Sequence, residues 1–287
     1  MGDVDQTTEP LGEPFSAWPR YLREATAIIE AAKERGLRLR LLGALAVVQQ
    51  CPGSRWLLEQ TNRVLTDLDF MGYTKEVAKV EELFATLGYE LLGGRGVTMD
   101  VWVGRRIFHD PTGARPRVDL FLDRLEFCHV IDLSRRLDHD PVTIPLTDIL
   151  LEKLQIVEIN EKDLKDLVVL LLEHPVGERQ EMSRLDAPYM ADLLSRDWGF
   201  YYTVSLNLDR LRHYVARLQE LSDDDRSLIS GRVDEIWSRV EAAPKALRWK
   251  LRAKLGPAKR WYNEVGEGYR ELGREAVGWS PSPDQDS

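Results

Sequence analysis

Apolar positions along the chain fall into two regimes, one of short alternating runs up to about residue 145 and one of helical periodicity after it. Tyr21, Leu22, Ala25, Ile28, Ile29 and Ala32 recur at helical spacing, and Gly36 suits the left-handed stop of that helix. Leu37 to Leu42 then predicts a strand, Gly43 a tight turn, and Ala44 to Gln50 a helix. Beyond a Pro52-Gly53-Ser54 loop, Val64 to Phe70 predicts a second strand and Lys75 to Leu87 a helix closed by Gly88. Further strands are expected at Val97–Val103, Arg105–Phe108 and Arg117–Leu122.

After Pro145, Thr147 to Glu173 reads as almost wholly helical, and helical segments continue from Asp186 to Ala276. The pattern therefore predicts an α+β protein with a mixed sheet flanked by helices at 17–145 and an all-helical lobe at 146–277. Its junction falls near 141–146. Polar, aperiodic ends at 1–16 and 278–287 are expected to be loose tails. Repeats at solenoid periods and low-complexity tracts are absent from the sequence.

Composition narrows the classes. With 43% apolar residues in 287, the chain can bury a sizeable core. Cys51 and Cys128 stand alone, outside any CxxC spacing, which excludes a disulfide framework and fits a reducing cytoplasm. The longest apolar run, Leu167 to Leu172, is far below the roughly 20 residues of a membrane helix, and the first residues do not read as a signal peptide. A net charge of −9 argues against indiscriminate coating of nucleic acid. The five histidines have no HExxH spacing, and no GxSxG element occurs, so zinc and acyl-transfer chemistry are disfavoured. Gly93-Gly94-Arg95-Gly96 lacks the Lys-Ser/Thr of a phosphate loop and reads as a turn before the Val97 strand.

Candidate chemistry gathers at three acids. In Thr66-Asp67-Leu68-Asp69-Phe70, the two-residue period of a strand sets Asp67 and Asp69 on one face while Leu68 and Phe70 point to the core. Carboxylates that close repel one another unless a cation lies between them, and a hard divalent ion such as Mg²⁺ takes oxygen ligands of this kind. Arg117-Val118-Asp119-Leu120-Phe121-Leu122-Asp123 supplies a third carboxylate, Asp119, on another strand; Asp100 and Asp123 are its rivals. Three such acids suit two-ion phosphoryl or nucleotidyl transfer, although Asp-x-Asp pairs also occur simply at strand ends facing water. Gly43, between strand and helix, allows backbone amides to approach a phosphate.

Leu41-Leu42-Gly43-Ala44-Leu45-Ala46, Arg63 with Thr66-Asp67-Leu68-Asp69, and Val118-Asp119-Leu120 together resemble the DNA polymerase β-type nucleotidyltransferase superfamily. Within it the chain is similar to bacterial minimal nucleotidyltransferases that include toxins of abortive-infection type, and Glu152-Lys153-Leu154-Gln155 through Glu161-Lys162-Asp163-Leu164-Lys165-Asp166-Leu167 resembles theirs as well. The likeness spans about residues 37–172. It implies that Asp67, Asp69 and Asp119 bind Mg²⁺ and carry catalysis. It also implies that Gly43, Ala44, Thr66, Lys153, Asp163 and Asp166 serve the NTP, and that an antitoxin protein is a partner. One departure is Ala44, where the family turn usually has Gly-Ser or Gly-Gly; a catalytically silent binding protein is therefore the alternative reading. Asn160 also suits an N-cap with Asp163 at its third position, an ordinary structural role for the acids there.

Arg248, Lys250, Arg252, Lys254 and Lys259 are interleaved with Trp249 and followed by Trp261 and Tyr262. Such a stretch, 245–262, suits RNA, and with the resemblance it points to RNA or tRNA as acceptor, a protein side chain or small molecule being next. The plainer reading is an exposed basic helix with its tryptophans turned to the core.

Overall fold

A computed structural model describes residues 12–92, 105–178 and 183–264. The strand expected at 97–103, its Asp100, the 93–96 glycine turn, residues 1–11 of the first expected tail, all of the second, and the helical stretch expected over 265–276 lie outside the described residues. In chain order the main elements are α1 (Trp18–Glu34), β1 (Arg40–Leu42), α2 (Gly43–Gln50), α3 (Arg55–Gln60), β2 (Asp67–Gly72) and α4 (Val77–Thr86). β3 (Glu90–Leu91), β4 (Arg105–His109), β5 (Arg117–Leu122), β6 (Arg124–Glu126) and β7 (Val130–Asp132) follow. Then come α5 (Leu146–Leu154), α6 (Glu161–Glu173), β8 (Val176–Gly177), β9 (Leu185–Asp186), α7 (Ala187–Leu194), α8 (Trp198–Val215), α9 (Asp223–Ala242) and α10 (Leu247–Leu255).

The protein is α+β, as its apolar pattern predicts. Its main sheet has five strands in the order β1-β2-β5-β4-β3. β2 and β5 run parallel at its centre, while the other pairings are antiparallel. Parallel neighbours need a crossover, and the chain from α4 through β3 and β4 provides it. Both central strands bury Leu68, Phe70, Val118 and Leu120 completely, and this burial fixes the register that sets Asp69 beside Asp119.

Element ends differ from the pattern in instructive places. β1 is three residues long, because Leu37 and Leu39 are buried without joining the ladder. β2 starts at Asp67; Leu65 instead forms an isolated bridge with Glu13, and Phe15 is buried, so the chain is engaged well before Ser16. The helix expected from Lys75 begins as a 3₁₀ turn, Thr74–Glu76. The almost wholly helical stretch expected over 147–173 divides as the Asn160 cap suggests: α5 stops at Leu154, and the Asn160 side chain accepts the Asp163 N–H to start α6.

The helices after Pro145 share a hydrophobic cluster with the sheet, running from Phe15 through Phe121 to Val240. α6 presents Leu167 to Leu171 with no exposed surface and packs on α2, α3, α5, α8 and α9. At roughly 2 kcal/mol per fully buried aliphatic side chain, that run alone ties the helices firmly to the sheet side. The 141–146 junction is pinned as well, since Leu41 N–H donates to Val142 O and Ile144 N–H to Leu41 O, both at 2.8 Å. Among the described residues, no helix is long and apolar enough to cross a membrane.

Candidate active site

The parallel pairing of β2 with β5 does what the sequence spacing could not guarantee. Asp69 is the register partner of Asp119 and Asp67 that of Arg117, so one face of two adjacent strands carries three acids and an arginine. One carboxylate oxygen from each of Asp67, Asp69 and Asp119 lies within 4.8 Å of the others. The neighbouring apolar residues anchor the strands, so this crowding is imposed by the core and not by attraction among the acids.

Electrostatics show the strain. Burial, reinforced by Asp67, Asp119 and Glu152, pushes the Asp69 carboxyl well above its ordinary range despite Lys153. Burial raises Asp119 too, against the pull of Arg105 and Arg117. Two guanidinium groups supply part of the missing positive charge. Arg117 Nη2 lies 2.9 Å from Asp67 Oδ2 and 3.2 Å from Asp119 Oδ2, and Arg105 also pairs with Asp119 Oδ2. Asp119 Oδ1, fully buried, has no hydrogen-bond partner among the described residues. Three grouped carboxylates, one of them with a buried, unpartnered oxygen, form the kind of donor set a hard divalent ion such as Mg²⁺ takes.

Gly43 closes the site on the side of β1. Its φ of +68° is a left-handed conformation that suits glycine, and an added Cβ would lie 2.3 Å from Asp69 Oδ2. The Gly43 N–H, at the start of α2, donates to Glu152 Oε2 at 3.0 Å. Ala44 follows, half-buried against the core. Thr66 caps the other flank, its hydroxyl donating to Asp67 Oδ1 at 2.7 Å.

Lys153, Asp163 and Asp166 belong to a second, buried cluster. Lys153 Nζ lies 3.5 Å from Glu152, 3.4 Å from Asp163 and 3.4 Å from Asp166. Asp166 also receives both Nε and Nη2 of Arg63 at 2.9 Å, a bidentate pair. Although burial disfavours its charge, Lys153 is held above its ordinary value by Glu152, Asp166 and Asp163. Glu152 links the two groups: it pairs with Lys153 and accepts the Gly43 amide beside Asp69.

Asp123 is not part of the acidic group. It lies past the far end of β5 with φ 60°, and its carboxylate accepts the Thr74 N–H at 3.3 Å. In the 245–262 stretch, Trp249 and Trp261 turn inward. Trp249 meets Tyr201 edge-on at 5.1 Å and Trp261 Nε1 donates to Thr203 Oγ1 at 3.0 Å. Arg105, Arg117 and the Glu152 contact were not singled out from sequence. The alternation in Arg117-Val118-Asp119 puts Arg117 on the acids' face and was a usable signal; the Glu152 contact spans 109 residues and had none.

A cleft of about 240 Å³ is walled in part by Glu13, Arg20, Tyr21, Thr66 and Arg117; Thr66 and Arg117 reach it from the site, and the three acids do not line it.

No known family profile matches the sequence, and no curated protein does. Solved structures that match include two of the antibiotic-resistance factor ANT(2'')-Ia, one in solution and one a crystal structure in complex with adenylyl-2''-tobramycin. Each is 15% identical to this chain over 52% of it, covering 83% and 87% of the respective neighbour, with TM-scores of 0.35 and 0.34. At that identity and score the likeness adds nothing to the reading of the site, which rests on its own geometry.

Proposed function

We propose that the protein is a divalent-metal-dependent nucleotidyltransferase, joining the α-phosphorus of an NTP to an acceptor hydroxyl as the α–β phosphoanhydride bond breaks and pyrophosphate leaves. The observation that carries this is the three-carboxylate group with its unpartnered, buried Asp119 oxygen, set against a glycine turn that leaves no room for a side chain. Asp67, Asp69 and Asp119 would hold Mg²⁺, which supplies Lewis-acid charge for the phosphates and lowers the pKa of a bound hydroxyl. Asp119, in the interior of β5, fixes the geometry, and Asp67, the half-buried first residue of β2, completes the ligand set. The left-handed Gly43 turn presents the amides of the α2 N-terminus to a phosphate, once Glu152 yields its hydrogen bond. Arg117 stabilises the acids when no cation does, and its exposed part borders the cleft where an acceptor enters.

One observation favours a second reading, a fold retained for binding without turnover. Glu152 already occupies the Gly43 amide, and Arg105 and Arg117 already pair with Asp67 and Asp119, so the site as it stands is internally satisfied in part.

The test is Mg²⁺-dependent transfer of label from each of the four NTPs to total RNA, tRNA, the protein itself and small polyhydroxylated acceptors, for wild type and Asp69→Ala. Label that vanishes in the variant establishes the transferase and its acceptor class, including the RNA acceptor that the sequence resemblance suggests; toxin-like action is read separately, as growth arrest on expression of wild type but not of Asp69→Ala. Measurable NTP binding with no transfer to any acceptor favours the silent reading.

A further inference from the structure

α10 faces outward in a way that its neighbours do not. It is nine residues long, and among the described residues none of its side chains is buried. Trp249, Arg252 and Ala253 turn toward the body of the protein: Trp249 meets Tyr201, and the Arg252 guanidinium sits 4.5 Å from the Trp198 ring centroid. Its opposite face carries Leu247, Leu251 and Leu255, exposed at 74%, 56% and 56%. Leucines four apart form one stripe on a helix. Lys250 and Lys254 border that stripe on one side and Arg248 on the other, all exposed. From Lys245 to Arg260 the sequence contains no acid, in a chain whose net charge is −9.

We propose that α10 is a docking surface for anionic lipid, laying its leucine stripe into the headgroup boundary with Arg248, Lys250 and Lys254 on the lipid phosphates. Leucines in the centre with long cationic side chains on both borders is the arrangement of an interfacial helix, where the aliphatic stems of lysine and arginine extend the apolar face and their charges reach the headgroups. Charge complementarity selects an anionic surface. Nucleic acid fits less well, because phosphates would meet the cations while the leucines were left against a polar backbone, and the aromatics that would stack on bases are engaged inside. A protein partner fits less well too: a helix about 13 Å long offers far less than the roughly 800 Å² per side of a stable protein interface.

Co-sedimentation of the full chain with vesicles tests this, using phosphatidylcholine alone and phosphatidylcholine mixed with phosphatidylserine. Binding is expected only to the phosphatidylserine vesicles, and is expected to fall as salt rises. Leu251→Gln with Leu255→Gln lowers partitioning by roughly tenfold or more, and Lys250→Gln with Lys254→Gln by about 25-fold at low salt. All four side chains are exposed, so both variants should melt like wild type in circular dichroism. Equal or absent binding to the two vesicle types overturns the proposal, as does binding that survives the leucine changes. Binding of a single-stranded RNA probe that is lost with the lysine changes but kept with the leucine changes, without vesicle binding, assigns the face to nucleic acid instead. A concentration-dependent dimer in sedimentation, abolished by the leucine changes and unaccompanied by vesicle binding, assigns it to a second copy.

Discussion

Two clusters of buried charge lie side by side in this protein and are balanced in opposite ways. Around Asp166, positive charge meets negative charge with good geometry: Arg63 is bidentate and Lys153 touches three acids. Burial alone would raise the Asp166 carboxyl, but Arg63 and Lys153 prevail and hold it below its ordinary value. Around Asp69, three carboxylates share one face of two adjacent strands, two of them are raised, and one buried oxygen has no partner among the described residues. Both clusters cost desolvation. The first returns it within the protein, and the second only in part, through Arg105 and Arg117. On the proposed function, the charge deficit held in place by a rigid core is where the ion and substrate bind, and the compensated network beside it supports that face.

The largest effect that sharpens this contrast is on activity. Asp69→Asn keeps the shape and removes one ligand charge, so label transfer should drop by roughly a thousandfold, the scale of losing a preorganised charged group. The folded chain should survive, because the change relieves repulsion. A variant that retained full transfer would show that the acids are not the reacting centre.

Next is Asp166→Ala, which strands Arg63 and Lys153 without their shared partner. Removing one member of a buried ion pair destabilises by about 3–5 kcal/mol, read as a lower denaturation midpoint in urea. A loss under about 1 kcal/mol would mean that solvent reaches the network and the contrast between the clusters is false.

Mg²⁺ tests the deficit directly. At a hundred times its dissociation constant it should stabilise wild type by about 2.7 kcal/mol in thermal melts, and Asp69→Asn by much less. pH adds a sign. Asp69 is raised, so the folded chain keeps its proton where the unfolded chain has released it, and metal-free stability declines as pH rises upward from the ordinary value of 3.8. The Mg²⁺ effect should therefore be small near pH 4 and grow toward neutrality. Asp166 is lowered, so its contribution is present above 3.8 and is lost as pH falls below that value. Magnesium stabilisation that is independent of pH would place the ion elsewhere.

Gly43→Ala is the smallest change. Left-handed backbone costs an alanine about 1–2 kcal/mol, and the added methyl must displace the Asp69 carboxylate. Stability should fall by that amount while the Mg²⁺ stabilisation disappears. Loss of stability with metal binding intact would separate the turn from the site.

The sequence by itself determined the α+β class, the identity of the strands that carry Asp67, Asp69 and Asp119, and the glycine turn at residue 43. Those features are local: a period of two fixes which side chains share a strand face, and a period of 3.6 marks where helices pack. Asn160 as an N-cap was legible for the same reason, since its bond to the Asp163 amide spans three residues. Only tertiary structure decided that β2 and β5 are parallel neighbours in the register that sets Asp69 beside Asp119. It also decided that Asp123 turns to Thr74, that Lys153 is enclosed by acids, and that Glu152 holds the Gly43 amide from 109 residues away. Likewise, the basic stretch near 250 offered two readings, one with its tryptophans turned to the core, and only the fold chose that one and turned its leucines out. Pairing, register and burial of distant charges depend on which surfaces the core brings together, and no local period encodes that.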